Sequence, residues 1–189
     1  MDDDLLGLLA RDLDGAFERL VREHQHRVYT IALRITGNSS DAEEIAQDVF
    51  LRAYRALAGY TRERARQLRL RPWLATIAVN LARNRLRRHR PPATDIDSLS
   101  QAEVPRANGG TPQVELARRE TAAHWQRLLA DLPDRYRVPL VLRYVDELTY
   151  PEMTEVLGMP SGTLKAQVHR GLHLLRAAHD AAEREELTA

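Results

Sequence analysis

The sequence predicts an all-α protein of two small helical domains joined by a flexible linker. Apolar residues recur at helical spacing through most of the chain, and no stretch alternates strictly as a half-buried strand would. Residues 91–112 interrupt this pattern with four prolines and two glycines, which favours an extended connection. These 22 residues could span up to ~75 Å, so the flanking domains could contact different surfaces.

The bulk composition excludes several classes of protein. The 189 residues include no cysteine, which excludes disulfides and thiolate zinc sites. No apolar run approaches the ~20 residues of a membrane span, and the acidic start MDDDLLGLLARD is unlike a signal peptide. We therefore expect a cytoplasmic protein without direct membrane insertion. The net charge is only +1, but residues 62–90 hold ten arginines against one acid, a local charge of +9.

Three helices are predicted before the linker. The first follows an i, i+3, i+4 apolar rhythm over residues 17–35 and ends at Gly37. The second is predicted to begin at Ser40, with Glu43 completing a capping box. The basic segment GYTRERARQLRLR is expected to form a loop, and Pro72 to begin the third helix. The predicted buried side of that helix consists of Leu74, Ile77, Ala78 and Leu81.

The third helix carries a polar stripe opposite its apolar side. The stripe combines two amides with two arginines and contains no acid: Asn80, Arg83, Asn84 and Arg87. Arginine suits phosphates and asparagine can pair with a base edge, so this pattern indicates contact with nucleic acid. A plain solubilising surface is the alternative. Tyr60 and Trp73 could stack on unpaired bases, although core packing is the simpler explanation for Trp73.

The second helix has a different outer face. Its residues are acidic or amide-bearing, with one leucine among them: Glu44, Gln47, Asp48 and Leu51. Such a face is unsuited to DNA and favours a basic protein partner. A solvated helix face is an equally good explanation from charge alone.

The part after the linker is also predicted to be helical. Thr111 and Pro112 should open a helix whose inward side chains are Val114, Ala117, Thr121, Trp125 and Leu128. A second helix is predicted over LPDRYRVPLVLRYV, where Pro139 should kink the helix or leave a backbone acceptor free.

A helix-turn-helix is predicted next. Thr149 and Glu152 form a capping box, Gly158 suits a left-handed cap, and Ser161 can cap the following helix. One face of that helix is apolar: Leu164, Val168, Gly171, Leu172 and Leu175. The other face could reach phosphates or base edges through Thr163, Lys165, Ala166, His169 and Arg170. A helical hairpin with a solvated face is the alternative. His169 and His173 lack a third ligand, so no metal site is predicted.

Taken in order, these motifs resemble a known family. The segments are SSDAEEIAQDVFLRAYRAL, RPWLATIAVNLARNRLRRHR, the proline-rich linker and LPDRYRVPLVLRYVDELTYPEMTEVLGMPSGTLKAQVHRGLHLLR. Over roughly residues 14–176 they resemble an extracytoplasmic-function (ECF) RNA polymerase sigma factor. The resemblance implies a region 2-like domain at residues 1–90 and a region 4-like helix-turn-helix domain at 113–180, with a tail at 181–189.

The resemblance also implies roles for the residues singled out above. Glu44, Gln47, Asp48 and Leu51 would bind the β′ clamp helices of core RNA polymerase. Asn80, Arg83, Asn84 and Arg87 would contact the −10 element of promoter DNA. Thr163, Lys165, Ala166, His169 and Arg170 would contact the −35 element. The second domain would hold the β flap, and an anti-sigma factor would be a further partner.

Other functional classes fit the sequence less well. An autonomous helix-turn-helix regulator would leave the acidic face beside a second DNA-like helix unexplained. An enzyme is the weakest alternative, because we find no phosphate loop, nucleophile with base, or ligand cluster. We accordingly expect no cofactor and no small-molecule substrate. The sequence leaves open whether the two domains pack together.

Overall fold

The computed structural model describes residues 2–88 and 112–186, and all regular structure in those ranges is helical. The helices of the first half are α1 (Asp2–Leu9), α2 (Leu13–Thr36), α3 (Ser39–Ala58), α4 (Arg62–Arg66) and α5 (Leu70–Arg88). Those of the second half are α6 (Pro112–Asp131), α7 (Asp134–Leu140), α8 (Tyr150–Leu157) and α9 (Ser161–Glu186), with a π-helical turn Val141–Val145 after α7. The predicted linker lies outside the described residues apart from Pro112.

Helix α2 is the centre of the first half, and both α3 and α5 pack against it. Its apolar stripe is buried as the sequence predicts, with Leu20, Val28, Ile31 and Ile35 each at most 1% exposed. Gly37 ends the helix in the left-handed conformation, with φ of 76°, and its N–H donates to the carbonyl of Leu33 at 2.8 Å. The prediction that α2 ends at Gly37 is confirmed.

One helix of the first half is missing from the sequence predictions, and three local predictions there are wrong. The missing helix is α1, whose Leu5, Leu6 and Leu9 are buried against α2 and α4. Helix α3 begins at Ser39 with Asn38 as its N-cap, and not at the predicted Ser40, because the side chain of Asn38 accepts from the N–H of Asp41 at 3.0 Å.

The remaining two corrections concern the basic segment before α5. It is not wholly a loop, because the Thr61 hydroxyl caps the short helix α4, whose Ala65 is buried. Helix α5 begins at Leu70 instead of Pro72, since Leu70 is buried and holds the first turn against the core. A proline is tolerated there because N–H groups of the first helical turn have no intrahelical acceptor.

Helix α6 shows a shift of register from the predicted inward side. Gln126 and Leu129 are the buried residues among those described, whereas Thr121 is exposed and Trp125 and Leu128 are half-buried. The shift arises because α6 packs against both α2 and α9, so its contact stripe is set by two neighbours. The side chains of Val114 and Ala117 lie outside the described residues.

Pro139 lies inside α7, one residue before the helix ends at Leu140. A π-helical turn follows, in which the N–H of Asp146 donates to the carbonyl of Val141 at 3.0 Å. This five-residue spacing inserts an extra residue into the helical ladder. The widened turn sets the buried position of Asp146, which is 2% exposed.

The helix-turn-helix is formed by α8 and α9. Thr149 and Glu152 make the reciprocal capping box, and Gly158 adopts a φ of 66° at the end of α8. Ser161 does not stand before α9 but is its first residue, since the N–H of Leu164 donates to the carbonyl of Pro160 at 3.1 Å. Helix α9 also continues beyond residue 176 to Glu186.

The two halves pack against one another, which answers the question the sequence left open. Helix α2 contacts α6, α7 and the π-helical turn, and α5 contacts α8. The buried apolar residues of both halves belong to one continuous cluster. The first helix of the helix-turn-helix therefore lies directly against the helix that carries the predicted −10 stripe.

Candidate nucleic-acid interface

Helix α9 exposes to solvent the face on which the sequence predicts DNA contacts, called here the recognition face. Leu164 and Val168 are buried and anchor the helix, which fixes the opposite side toward solvent. All five predicted residues are exposed: Thr163, Lys165, Ala166, His169 and Arg170. Lys165 also approaches the ring of Tyr150 in α8, with its Nζ 5.6 Å from the ring centroid. This recognition face is open even though the two halves are in contact.

Two of the three histidines of α9, His169 and His173, lie close together on the solvent side. The Nε2 atoms of His169 and His173 are 3.2 Å apart. Within residues 2–88 and 112–186, no group of three or more metal-ligating side chains could hold an ion.

The polar stripe of α5 is partly open to solvent. Asn80, Asn84 and Arg87 are exposed, and Arg87 donates a hydrogen bond to the side-chain oxygen of Asn84. Arg83 differs because it is half-buried. Burial lowers the pKa of Arg83, while the nearby charge of Asp134 in α7 opposes that effect. Arg83 therefore differs from the other residues of the stripe in lying close to the second half of the chain.

The acidic face of α3 is accessible along its whole length. Glu44, Gln47, Asp48 and Leu51 are all exposed, and Leu51 keeps 47% of its surface in solvent. Arg85 of α5 contacts Glu44, and its Nη1 lies 3.2 Å from the Oδ1 of Asp41. Arg85 therefore links α5 to the first turns of α3, where the acidic face begins. Sequence reasoning missed its role because residues 41 positions apart have no shared periodicity.

The aromatic pair before α5 belongs partly to the core. The rings of Tyr60 and Trp73 have centroids 6.3 Å apart, and both side chains are half-buried against the core. The guanidinium of Arg64 lies 4.1 Å from the centroid of the Tyr60 ring. Packing therefore accounts for Trp73, as the simpler explanation proposed, while the Arg64–Tyr60 stack lies at the surface.

Two arginines of the basic segment contact the second half. The Nη2 of Arg69 lies 2.9 Å from the Oε1 of Glu152, and its Nη1 contacts Glu155. The Nη2 of Arg71 donates to the backbone carbonyl of Asp146 at 2.9 Å. Sequence reasoning assigned this segment only a general basic character. No sequence signal pairs it with α8, which lies more than 80 residues away.

Glu152 thus serves two roles at once. It accepts from the backbone N–H of Thr149 at 2.8 Å in the capping box, and it pairs with Arg69. Burial alone would raise the pKa of Glu152, but the hydrogen bonds from Thr149 and the charges of Arg69 and Arg71 hold the pKa below its ordinary value. The carboxylate is therefore held in its charged form.

Comparison with known families matches both halves separately. Residues 20–91 match sigma-70 region 2, and residues 124–175 match sigma-70 region 4. The chain is 33% identical to the ECF RNA polymerase sigma factor SigW of Bacillus subtilis over 85% of this chain and 87% of the relative. It is 31% identical to the ECF RNA polymerase sigma-E factor of Escherichia coli K12 over 82% of each chain.

Solved structures share the fold over most of the chain. CnrH in complex with the cytosolic domain of CnrY matches with a TM-score of 0.68 and 24% identity, covering 95% of this chain and 97% of that chain. The sigma factor RpoE in complex with the anti-sigma factor NepR from Bartonella quintana matches with a TM-score of 0.65 and 18% identity, covering 85% and 94%.

The matches to both sigma-70 regions show that the chain is a transcription initiation factor with a helix-turn-helix. The two curated relatives, which are at least 31% identical over most of both chains, show which family of these factors it belongs to. The chain belongs to the ECF family of RNA polymerase sigma factors. Within the described ranges, no helix is long and apolar enough to cross a membrane.

Proposed function

We propose that this chain binds core RNA polymerase and directs it to promoters through −10 and −35 recognition. The observation that carries the proposal is the presence of three separate exposed surfaces on one sigma-family chain: the α9 recognition face, the α5 polar stripe and the acidic face of α3. In a protein that acted only as a DNA-binding regulator, the acidic face would be an ordinary solvated surface, whereas a sigma factor uses it to bind polymerase.

Each surface has a role in this proposal. The acidic face of α3 docks on the basic β′ clamp helices, with Leu51 as its apolar contact. The α5 stripe contacts the −10 element, where asparagine amides suit base edges and arginines suit phosphates. The α9 face lies in the major groove of the −35 element. The half-buried and exposed apolar residues at the end of the second half, which include Leu174, contact the β flap.

Two modest DNA contacts become specific because polymerase holds them at a fixed spacing. Once one domain is bound, the second binds at a high effective concentration, so neither element needs to be bound tightly alone. The chain works without chemistry of its own, by capturing unstacked bases of a duplex that polymerase also opens. We accordingly place its action in the cytoplasm, where polymerase transcribes, with an anti-sigma factor as a further partner.

Run-off transcription tests the proposal directly. Fragmented genomic DNA of the source bacterium is transcribed by core polymerase with and without the chain. We expect discrete new start sites only when the chain is present, and the sequences upstream of those starts should share two elements. Absence of new starts, together with tight binding of duplex by the free chain, would instead establish an autonomous regulator.

A further inference from the structure

We propose that His173 joins His169 in contacting the phosphate backbone at the −35 element, and that this histidine pair takes up a proton when it does so. The inference rests on the proposed sigma function and adds a proton-linked contact to the upstream interaction. The group that the pair recognises is a phosphate of the DNA backbone. Binding of the upstream element should therefore weaken as the pH rises.

The contact between the two histidines accommodates one added proton but not two. Both side chains are exposed, their ring centroids are 4.4 Å apart, and their Nε2 atoms are 3.2 Å apart. A neutral imidazole has one N–H and one acceptor nitrogen, so one Nε2–H must donate to the unprotonated Nε2 of the other ring. A first added proton can enter at the Nδ1 of the donor ring, which leaves this hydrogen bond in place. A second proton would place N–H groups on both facing nitrogens, so the pair would have to separate.

The charges along α9 also oppose a second proton. Lys165 lies four residues before His169, while Arg170 and Arg176 lie three residues before and after His173. Residues three or four apart are neighbours on a helix surface, so these cations lie beside the pair. Residues 156–179 contain no acid, and α9 therefore provides no counter-charge until Asp180.

The acids on the helices packed against α9 lie beside arginines instead: Asp131 and Asp134 beside Arg137, and Glu152 and Glu155 beside Arg69. Of the other titratable groups on these helices, His124 of α6 contacts the third histidine of α9, with its Nε2 3.1 Å from the Nδ1 of His179. Arg135 of α7 lies over the ring of Tyr136. The pair therefore faces positive charge on its own helix, and the free chain should disfavour its doubly protonated form.

The position of the pair along α9 suits a contact with phosphate. In a helix-turn-helix, the first residues of the recognition helix lie at the base edges. His169 and His173 follow Ser161 by eight and twelve residues, which corresponds to ~12 and ~18 Å along the helix axis. The major groove is only ~12 Å wide, so the helix leaves the groove at the level of the pair, where phosphates line the edge. A phosphate there stabilises the second proton, because both Nε2–H groups can donate to it.

Proton uptake makes the affinity depend on pH in a definite direction. The complex favours the doubly protonated pair and the free chain does not, so raising the pH favours dissociation. One extra bound proton raises the Kd by up to about tenfold per pH unit while the pair titrates. Imidazoles ordinarily change charge between about pH 5 and 8, whereas DNA phosphodiesters keep their charge over that range.

Binding of the holoenzyme to a promoter fragment from the run-off starts measures this dependence. Fluorescence anisotropy gives the Kd between pH 6 and 8 at one salt concentration, with EDTA present so that no metal ion bridges the pair. We expect the wild-type Kd to rise about tenfold over this range. His173→Gln keeps a donor but cannot become charged, so it should bind more weakly at pH 6 and reduce the rise to about threefold or less. His173→Lys stays charged throughout and should also flatten the curve, with tight binding at pH 8.

Two controls separate this contact from other effects of pH. His26→Gln makes the same change at an exposed histidine of α2, outside both DNA surfaces, and should keep the wild-type rise. A promoter fragment that ends between the two elements lacks the upstream phosphates, so wild type and His173→Gln should give parallel curves on it. Parallel curves for these two proteins on the full fragment would overturn the proposal.

Nuclear magnetic resonance of the free chain tests the pair without polymerase or DNA. The imidazole nitrogens of His169 and His173 should titrate in two separated steps, because the first proton opposes the second. His169→Gln should convert the response of His173 to a single step. Independent single-step titration of both residues in the wild type would also overturn the proposal. A failure of the sigma function would instead appear as no initiation by the wild type in run-off transcription, with the coupled titration intact.

Discussion

Gly171 is the position where the packing of α9 can be tested most directly. This glycine is buried on the side of α9 that faces α7. An added Cβ would lie 2.9 Å from the Cδ1 of Leu140 and 3.3 Å from the Cβ of Tyr136. Leu140 is itself 3% exposed, so its side chain has little room to move away. We predict that Gly171→Ala destabilises the second half.

Two opposing terms set the size of the effect. Replacing glycine by alanine inside a helix gains about 0.5–1 kcal/mol from backbone entropy. Inserting a methyl group into a well-packed core costs about 1–3 kcal/mol. The cost should exceed the gain, because the contact with the Tyr136 Cβ involves an atom fixed by the backbone of α7. We expect a net loss of about 1–2 kcal/mol in the free energy of unfolding.

Gly162 provides the matched control in the same helix. It is exposed, and an added Cβ would meet nothing within 4 Å. Gly162→Ala should therefore stabilise the protein by up to about 0.5 kcal/mol. For a chain of 189 residues with one continuous core, 1 kcal/mol corresponds to about 2–4 °C in Tm, so the two variants, which differ by about 2 kcal/mol, should differ by roughly 6 °C.

Thermal unfolding followed by circular dichroism measures the difference, and urea titration checks it isothermally. A Gly171→Ala protein that melts as high as Gly162→Ala would refute the reasoning. It would mean that α9 moves outward at no cost, and hence that the close approach of α9 to α7 does not fix the recognition face.

Three further predictions concern function. Asp48→Arg should weaken core-polymerase binding at least about thirtyfold in fluorescence anisotropy, a loss of about 2 kcal/mol typical of a central contact, with unfolding unchanged; unaltered co-purification with core would contradict it. Arg170→Ala should reduce initiation only at promoters that depend on the −35 element, so equal loss on a promoter lacking that element would indicate a structural role. Burial raises the pKa of Asp146 above its ordinary 3.8 despite the arginines that face it, so protonation of Asp146 stabilises the folded chain, and this stabilisation is lost as pH rises through the raised pKa. The free energy of unfolding from urea titration should therefore fall more with pH in wild type than in Asp146→Asn over that window; nearby Glu152 titrates in both proteins, and parallel curves would refute the assignment.

The buried ion pair between Arg27 and Asp146 is not expected to contribute much to the stability of the folded chain. Burial raises the pKa of Asp146 more than Arg27 and Arg71 lower it, which means that the charged carboxylate is less favourable here than in water. Removing Arg27 is more severe than neutralising Asp146, because a single buried charge has no compensation. The contact between Arg27 and Asp146 therefore favours this particular arrangement of the two halves, but it adds little to the stability of that arrangement.

Features encoded in neighbouring residues were predictable from the sequence. The capping box of Thr149 and Glu152, the left-handed glycines at residues 37 and 158, and the exposed recognition face of α9 follow from spacing within one or two helical turns. The four residues of the acidic face of α3 were likewise placed on one exposed side. The predicted start of α3 was wrong, because Asn38 and Ser40 are both residue types that can serve as an N-cap. The local backbone conformation decides that Asn38 does so.

The sequence by itself determined the all-helical class, the helix-turn-helix and the identity of the three candidate surfaces, because helical periodicity and capping act over a few residues. Only the tertiary structure decided how the halves meet. The pairing of Arg69 with Glu152, of Arg27 with Asp146, and of Arg137 with the end of α2 joins residues about 80 to 120 positions apart. No local pattern carries such pairings, since they depend on the relative placement of whole helices whose packing is set by the shared core.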